Sequence, residues 1–200
     1  MSIRIETERL LLREYLSSDW SDVHEYCKDP DVTRFMLWGP NSDEQTRDFL
    51  KKAQEHQLDN PRHIYEFAVE SKETNRVIGG IGLRIRSVEK RAGDIGYCYN
   101  PRYWGRGYGT EAALAMLKFG FEALKLHRIW ATCDFENAGS EGIMRKNGMR
   151  KEAHFRRDEL IKGHWRDSLL YAMVEEEWLA RAADAQRIVC NVSNSALSAI

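Results

Sequence analysis

Three glycines at alternate positions, Gly105, Gly107 and Gly109, stand between a strand-like stretch and a helix-like one, in the run Tyr97-Cys98-Tyr99-Asn100-Pro101-Arg102-Tyr103-Trp104-Gly105-Arg106-Gly107-Tyr108-Gly109-Thr110-Glu111-Ala112. Glycine takes φ > 0 without penalty and lets the backbone come close to a ligand. The first turn of a helix adds unpaired N–H groups at the positive end of its dipole. The chemistry open to such a turn is anion binding, above all of a phosphorylated cofactor. Two common phosphate loops are excluded by what the run lacks. A nucleotide P-loop ends in Gly-Lys-Ser/Thr, and Tyr108-Gly109-Thr110 has no lysine. A dinucleotide fingerprint needs a third glycine where this chain has Thr110, and no convincing acidic ribose partner follows it.

Three further motifs flank the loop in order: Thr7-Glu8-Arg9-Leu10-Leu11-Leu12-Arg13 near the start, Asp94-Ile95-Gly96-Tyr97 before it, and Asn137-Ala138-Gly139-Ser140 with Lys146-Asn147-Gly148-Met149 after it. With Trp104 to Ala112, they make the sequence resemble the GNAT superfamily of N-acetyltransferases over residues 5–180, and within it the ribosomal-protein N-terminal-alanine acetyltransferase-like branch. The resemblance implies a mixed α/β fold, a mostly antiparallel twisted sheet flanked by helices. It also implies acetyl-CoA-dependent transfer of an acetyl group to a primary amine within a ternary complex. The leading acceptor is the α-amine of a protein N-terminus. A small-molecule amine (antibiotic, polyamine or amino acid) is the alternative, and a silent acetyl-CoA-binding module is the rival of another class.

Residue roles follow from the same resemblance. The N–H groups of Gly105, Arg106, Gly107, Tyr108, Gly109 and Thr110 would hold the pyrophosphate without a metal. Trp104 stands where many relatives carry glutamine or arginine, which leaves Arg106 as the charge nearest that place. Tyr97, Cys98 and Tyr99 match positions that pair with pantetheine through backbone groups, and a free N–H there could polarise the thioester carbonyl. Asn137 and Ser140 occupy N-x-x-S positions, the amide bonding pantetheine and the hydroxyl reaching the sulfur, although both could simply cap the short helix. Ser140 is the candidate proton donor, since a thiol of pKa about 8.5 leaves readily and a weak donor suffices. Met144 stands where many relatives carry tyrosine and cannot donate a proton. For the base, Glu159 is at the branch's glutamate position, counted from Gly148; Asp94 is second, with Arg84 or Arg86 as competing partners, and Glu66 third. Trp38, Tyr65, Tyr97 and Trp165 are candidates for an acceptor tunnel, or for core.

The elements that must position these residues read as follows. A first strand covers 8–14, and a helix headed by Asp19 stops before Pro30. A second helix starts at Ser42, which forms a capping box with Gln45 and puts Phe49, Leu50 and Ala53 on one face. Strands at 65–70, 76–86 and 94–99 make an antiparallel meander. After the loop a helix carries Leu114, Leu117, Phe121 and Leu124 at spacings of three and four. A strand at 128–134, a helix at 137–146 closed by Asn147-Gly148, and strands at 149–157 and 165–174 complete the set.

Composition sets the outer bounds. At 200 residues the chain suits one domain, placed at 1–180, with 181–200 expected to be a mobile C-terminal tail. Thirty basic against 31 acidic residues give no overall field to draw in nucleic acid or an anionic membrane. The charged N-terminus has no apolar core and no stretch is long enough to span a bilayer, so a cytoplasmic protein is expected, and it is taken as a monomer or homodimer. Four cysteines and six histidines show no metal-ligand spacing, so no metal is expected.

Overall fold

A computed structural model describes residues 3–181. Arg181 apart, the expected tail lies outside the described residues. The strands are β1 (Arg4–Glu6), β2 (Leu10–Glu14), β3 (Ile64–Ser71), β4 (Arg76–Ser87), β5 (Ala92–Tyr99), β6 (Arg128–Asp134), β7 (Arg150–Ile161) and β8 (His164–Val174). They form one sheet in the order β1-β2-β3-β4-β5-β6-β8-β7. Every neighbouring pair is antiparallel except β5 and β6. The helices are α1 (Trp20–Cys27), α2 (Pro30–Thr33), α3 (Asp43–His56), α4 (Tyr108–Lys118) and α5 (Ala138–Lys146). This is the mixed α/β sheet with flanking helices that the sequence led us to expect.

Alternation along the strands builds two cores, one on each face of the sheet. Phe67, Leu83 and Ile95 meet Ala112, Met116 and Leu117 of α4 on one face. Ala68 and Val77 meet Val23 and Tyr26 of α1 and Leu50 and Ala53 of α3 on the other. Each large apolar side chain so buried contributes about 1.5–3 kcal/mol. The capping box forms as read: Ser42 Oγ accepts from Gln45 N at 3.2 Å and Gln45 Oε1 accepts from Ser42 N at 2.8 Å.

Four local readings are corrected. The strand expected at 8–14 covers only 10–14 and is preceded by an unexpected strand at 4–6, because Thr7 turns the chain: Leu10 N donates to Thr7 Oγ1 at 3.0 Å. Asp19 heads α1 without capping it. Its carboxylate instead accepts from Arg13 Nη1 and Nη2 and from Leu16 N, each at 2.8 Å, while Arg13 Nε donates to Glu70 at 2.7 Å. Leu114 is 37% exposed, since α4 packs through its small residues Ala112 and Ala113, which let the helix approach the sheet closely. The last hairpin is longer than expected, turning at Lys162 and Gly163 with φ of 50° and 81°, a tight turn that lets both strands extend to it. Glu159, expected in a loop, is therefore on β7. Residues 175–181 are helical and place Trp178 against Phe121, with ring centroids 5.6 Å apart.

Candidate active site

The parallel register of β5 and β6 covers only Ala92↔Arg128, Gly93↔Ile129 and Asp94↔Trp130. Beyond it β5 stays with β4 as far as Gly79↔Tyr99, and β6 stays with β8 as far as Asp134↔Ser168. The two strands therefore part. Residues 95–99 show one edge with no strand partner among the described residues, and main-chain donors and acceptors on such an edge need a side chain, a ligand or water.

The end of β5 leads into the glycine loop. Gly105 and Gly107 have φ of 73° and 83°, and Gly107 is the N-cap of α4 with no side chain satisfying the first N–H groups. Nothing lies within 4 Å of a Cβ built on Gly105. Open space, left-handed backbone and an uncapped helix start suit a phosphate group. Gly109 has another reason to be glycine. It lies inside α4 without positive φ, and a Cβ there would come within 2.6 Å of Ile143 Cδ1 and 3.1 Å of Tyr99. Trp104 Nε1 donates to Tyr99 O at 2.8 Å, tying the loop back to β5. Arg106 lies 5.8 Å from the Tyr103 ring centroid. The Tyr99 and Tyr108 side chains are buried in the core, and Thr110 O accepts from Asn147 Nδ2 at 3.1 Å.

Across the gap, Asn137 Oδ1 caps α5 by accepting from Ser140 N at 3.0 Å. Ser140 Oγ lies 3.1 Å from Tyr97 Oη, which also donates to Ser140 O at 3.2 Å. Nothing in the sequence signals this pairing between residues 43 apart. Burial pushes the Tyr97 phenol above its ordinary range. Met144, in the place of the missing tyrosine, is fully buried. Burial pushes the Cys98 thiol up to about 12. At neutral pH the Cys98 thiolate is therefore scarce.

On the opposite face from α4 a cavity of about 760 Å³ reaches Tyr97 and Cys98. Its floor is a trough of glycines on adjacent strands: Gly80 faces Cys98 and Ala68, and Gly82 faces Gly96 and Glu66. Side chains there would fill it. A Cβ on Gly80 would overlap Tyr15 Oη, one on Gly96 would come within 3.2 Å of Arg84 Nη2, and one on Gly82 within 3.4 Å of Glu66 Cγ. Tyr15, Trp38 and Phe49 supply apolar wall, while Asp48 and Glu66 are balanced by Lys52, Arg84 and Lys162. The Tyr26 hydroxyl is buried in this wall with no hydrogen-bond partner among the described residues.

The structure separates the three candidate bases. Glu66 lines the cavity, with His56 Nδ1 3.5 Å from its carboxylate. Asp94 lies outside the lining, held by Arg86 and by Arg84 at 3.4 Å. Glu159 is exposed on β7 opposite Arg166, also outside the lining. Of the aromatic candidates, Trp38 and Tyr97 border the cavity, Tyr65 is in the α4-side core and Trp165 is 60% exposed on β8.

Residues 9–150 match the acetyltransferase (GNAT) domain family. The chain belongs to the GNAT family. As a GNAT enzyme it is an acyltransferase, and the domain implies use of acetyl-CoA. It is 36% identical over 176 residues to the uncharacterized N-acetyltransferase YnaD of Bacillus subtilis, covering 88% of this chain and 99% of that one. The crystal structure of a GNAT-family acetyltransferase from Bacillus anthracis superposes with a TM-score of 0.78 at 38% identity, covering 88% of this chain and all of that one. Spermidine N(1)-acetyltransferase of Escherichia coli is 29% identical over 98 residues, 49% of this chain and 52% of that one. Among the described residues no helix of this GNAT protein is long and apolar enough to cross a membrane, and no group of three His, Cys, Asp or Glu side chains stands together as metal ligands.

Proposed function

We propose that this GNAT enzyme acetylates the α-amine of a protein or peptide N-terminus, with the glycine loop holding the pyrophosphate, the open edge of β5 holding pantetheine, and the trough receiving the acceptor. The observation that carries this reading is the position of Tyr97. It borders the acceptor cavity and also meets Ser140 across the parted strands, so both halves of the reaction converge on it. The mixed charge of the cavity supports an acceptor with one ammonium rather than a polyamine, for which an acidic wall is the natural complement.

Bound acetyl-CoA supplies an acetyl thioester that is attacked at carbon and loses a thiolate. The protein's own groups serve the rest. An ammonium has no lone pair, so a carboxylate must take its proton, directly or through water. Glu66 is assigned that task, because it alone of the three candidates lines the cavity; Glu159 is the alternative from the resemblance. Main-chain N–H groups on the open edge at Tyr97 to Tyr99 are offered to the carbonyl oxygen. Asn137, whose oxygen caps α5, keeps its NH₂ for pantetheine, and Ser140 gives a proton to the departing sulfur.

The test compares Glu66→Gln, Glu159→Gln and Asp94→Asn across pH, on a panel of N-terminal peptides, amino acids and spermidine. Glu66→Gln is expected to lose the most kcat/KM near neutral pH and to recover as the amine deprotonates unaided. A larger, pH-rescued loss in Glu159→Gln moves the base to β7, and turnover of spermidine without turnover of peptides overturns the acceptor.

A further inference from the structure

The Thr7-to-Arg13 motif has no part in the chemistry above, yet its first residues lie against the glycine loop. Thr7 Oγ1 and Arg9 N donate to Glu111 Oε1 at 2.6 and 2.8 Å, and Arg9 Nε donates to Glu111 Oε2 at 2.7 Å. Arg9 Nη1 donates to Arg106 O at 3.0 Å, inside the loop. The guanidinium lies over the Tyr108 ring, 4.5 Å from its centroid. Nη2 has no hydrogen-bond partner among the described residues, and a Cβ built on Gly107 would come within 3.4 Å of it.

Glu111 makes this arrangement necessary. A carboxylate in the first turn of α4 suits the helix dipole, but at an anion site it is also a like charge that repels phosphate. It is ionised: burial works against this, but the hydrogen bonds from Thr7 and Arg9 outweigh it and hold the carboxyl below its ordinary range. An arginine fork can neutralise a carboxylate through one nitrogen and still present others to an oxyanion.

We propose that Arg9 is the side-chain cation of the pyrophosphate site: it neutralises Glu111, holds the Arg106 carbonyl away from the anion, and presents Nη2 at Gly107. This rests on the reading of the glycine loop given above. It also supplies the charge missing at Trp104, from a residue 97 positions away from Arg106.

The experiment measures affinity for CoA by calorimetry and for pantetheine, which lacks the pyrophosphate, by ligand-observed NMR. Wild type, Arg9→Gln, Arg9→Lys and the double variant Arg9→Gln/Glu111→Gln are compared, each checked for cooperative unfolding. Arg9→Gln is expected to weaken CoA by about tenfold or more, as for loss of a charge-assisted contact, and to leave pantetheine within about twofold. The double variant should regain part of the CoA affinity, since the unshielded carboxylate is gone. Arg9→Lys, which keeps the charge and loses the fork, gives the answer if Arg9→Gln does not fold: a selective loss on CoA supports the proposal. Equal losses on CoA and pantetheine, or no loss, overturn it and leave Arg9 a brace of the fold. If wild type itself binds CoA no better than pantetheine, the glycine-loop reading is what fails.

Discussion

Gly105 and Gly107 at the cofactor end, and Gly80, Gly82 and Gly96 under the acceptor cavity, are glycines for different physical reasons. The first two are needed for their backbone: φ of 73° and 83° aims the N–H groups outward at the start of α4, and there is open space around Gly105. The other three have ordinary strand geometry and are needed for the volume they leave empty, because a Cβ on any of them would enter the space that Tyr15, Arg84 or Glu66 borders. Gly109 sits in the cofactor loop but belongs to the second kind, with Ile143 and Tyr99 pressing on it. One kind sets the course of a main chain, and the other leaves out side chains that would fill a cavity.

Substitution should divide the two. The largest effect is expected from Gly107→Val, which puts a β-branched residue in the left-handed region at a cost of about 1–3 kcal/mol. CoA affinity should fall by about a hundredfold or more, while the cavity keeps its shape; a folded variant with unchanged CoA affinity by calorimetry breaks the comparison on the cofactor side.

Gly80→Val should come next, with the opposite signature. Displacing Tyr15 should cost about 1–3 kcal/mol of stability by overpacking and lower kcat/KM for the acceptor by about tenfold or more. CoA affinity should stay within about twofold. If CoA binding falls as far as acceptor turnover, the trough is not a separate compartment.

Ser140→Ala probes the point where the compartments meet. Loss of a proton donor predicts about a tenfold drop in kcat with CoA affinity nearly intact. A drop in melting temperature with kcat preserved would make Ser140 a helix-start residue and nothing more.

The smallest effect concerns the cysteines beside the site. Burial pushes Cys98 up to about 12 and Cys133 up to about 11, so the thiolate form is scarce below those values and grows only as pH rises toward them. In the folded protein, alkylation of both by iodoacetamide should be slow at pH 7.5 and still slow at pH 9, followed by peptide mass spectrometry. Fast labelling of Cys98 at pH 7.5 would show that the trough opens to solvent more than its walls suggest.

The cofactor side was readable because its requirements are local. A strand, two positive-φ glycines and a helix start follow one another within a few residues, and Asn137 with Ser140 lie on a single turn that really is capped as the spacing implied. The acceptor side was not readable in this way. Gly80, Gly82 and Gly96 look like ordinary strand interruptions until pairing sets Gly82 beside Gly96 and Glu66. The strands read at 149–157 and 165–174 leave Glu159 in a loop before Gly163, and register extends β7 through it instead.

By itself, then, the sequence determined the family, most of the elements in their order and the glycine turn that starts α4, since each depends on residues close together in the chain whose backbone preferences act alone. Only the tertiary structure decided that Glu66 and not Asp94 or Glu159 lines the cavity, that Tyr97 meets Ser140 across the parted strands, and that Arg9 reaches Glu111 and the Arg106 carbonyl. Those facts depend on strand register and on helices packed from distant parts of the chain, and side-chain neighbours of that kind exist only after the sheet has closed its two cores.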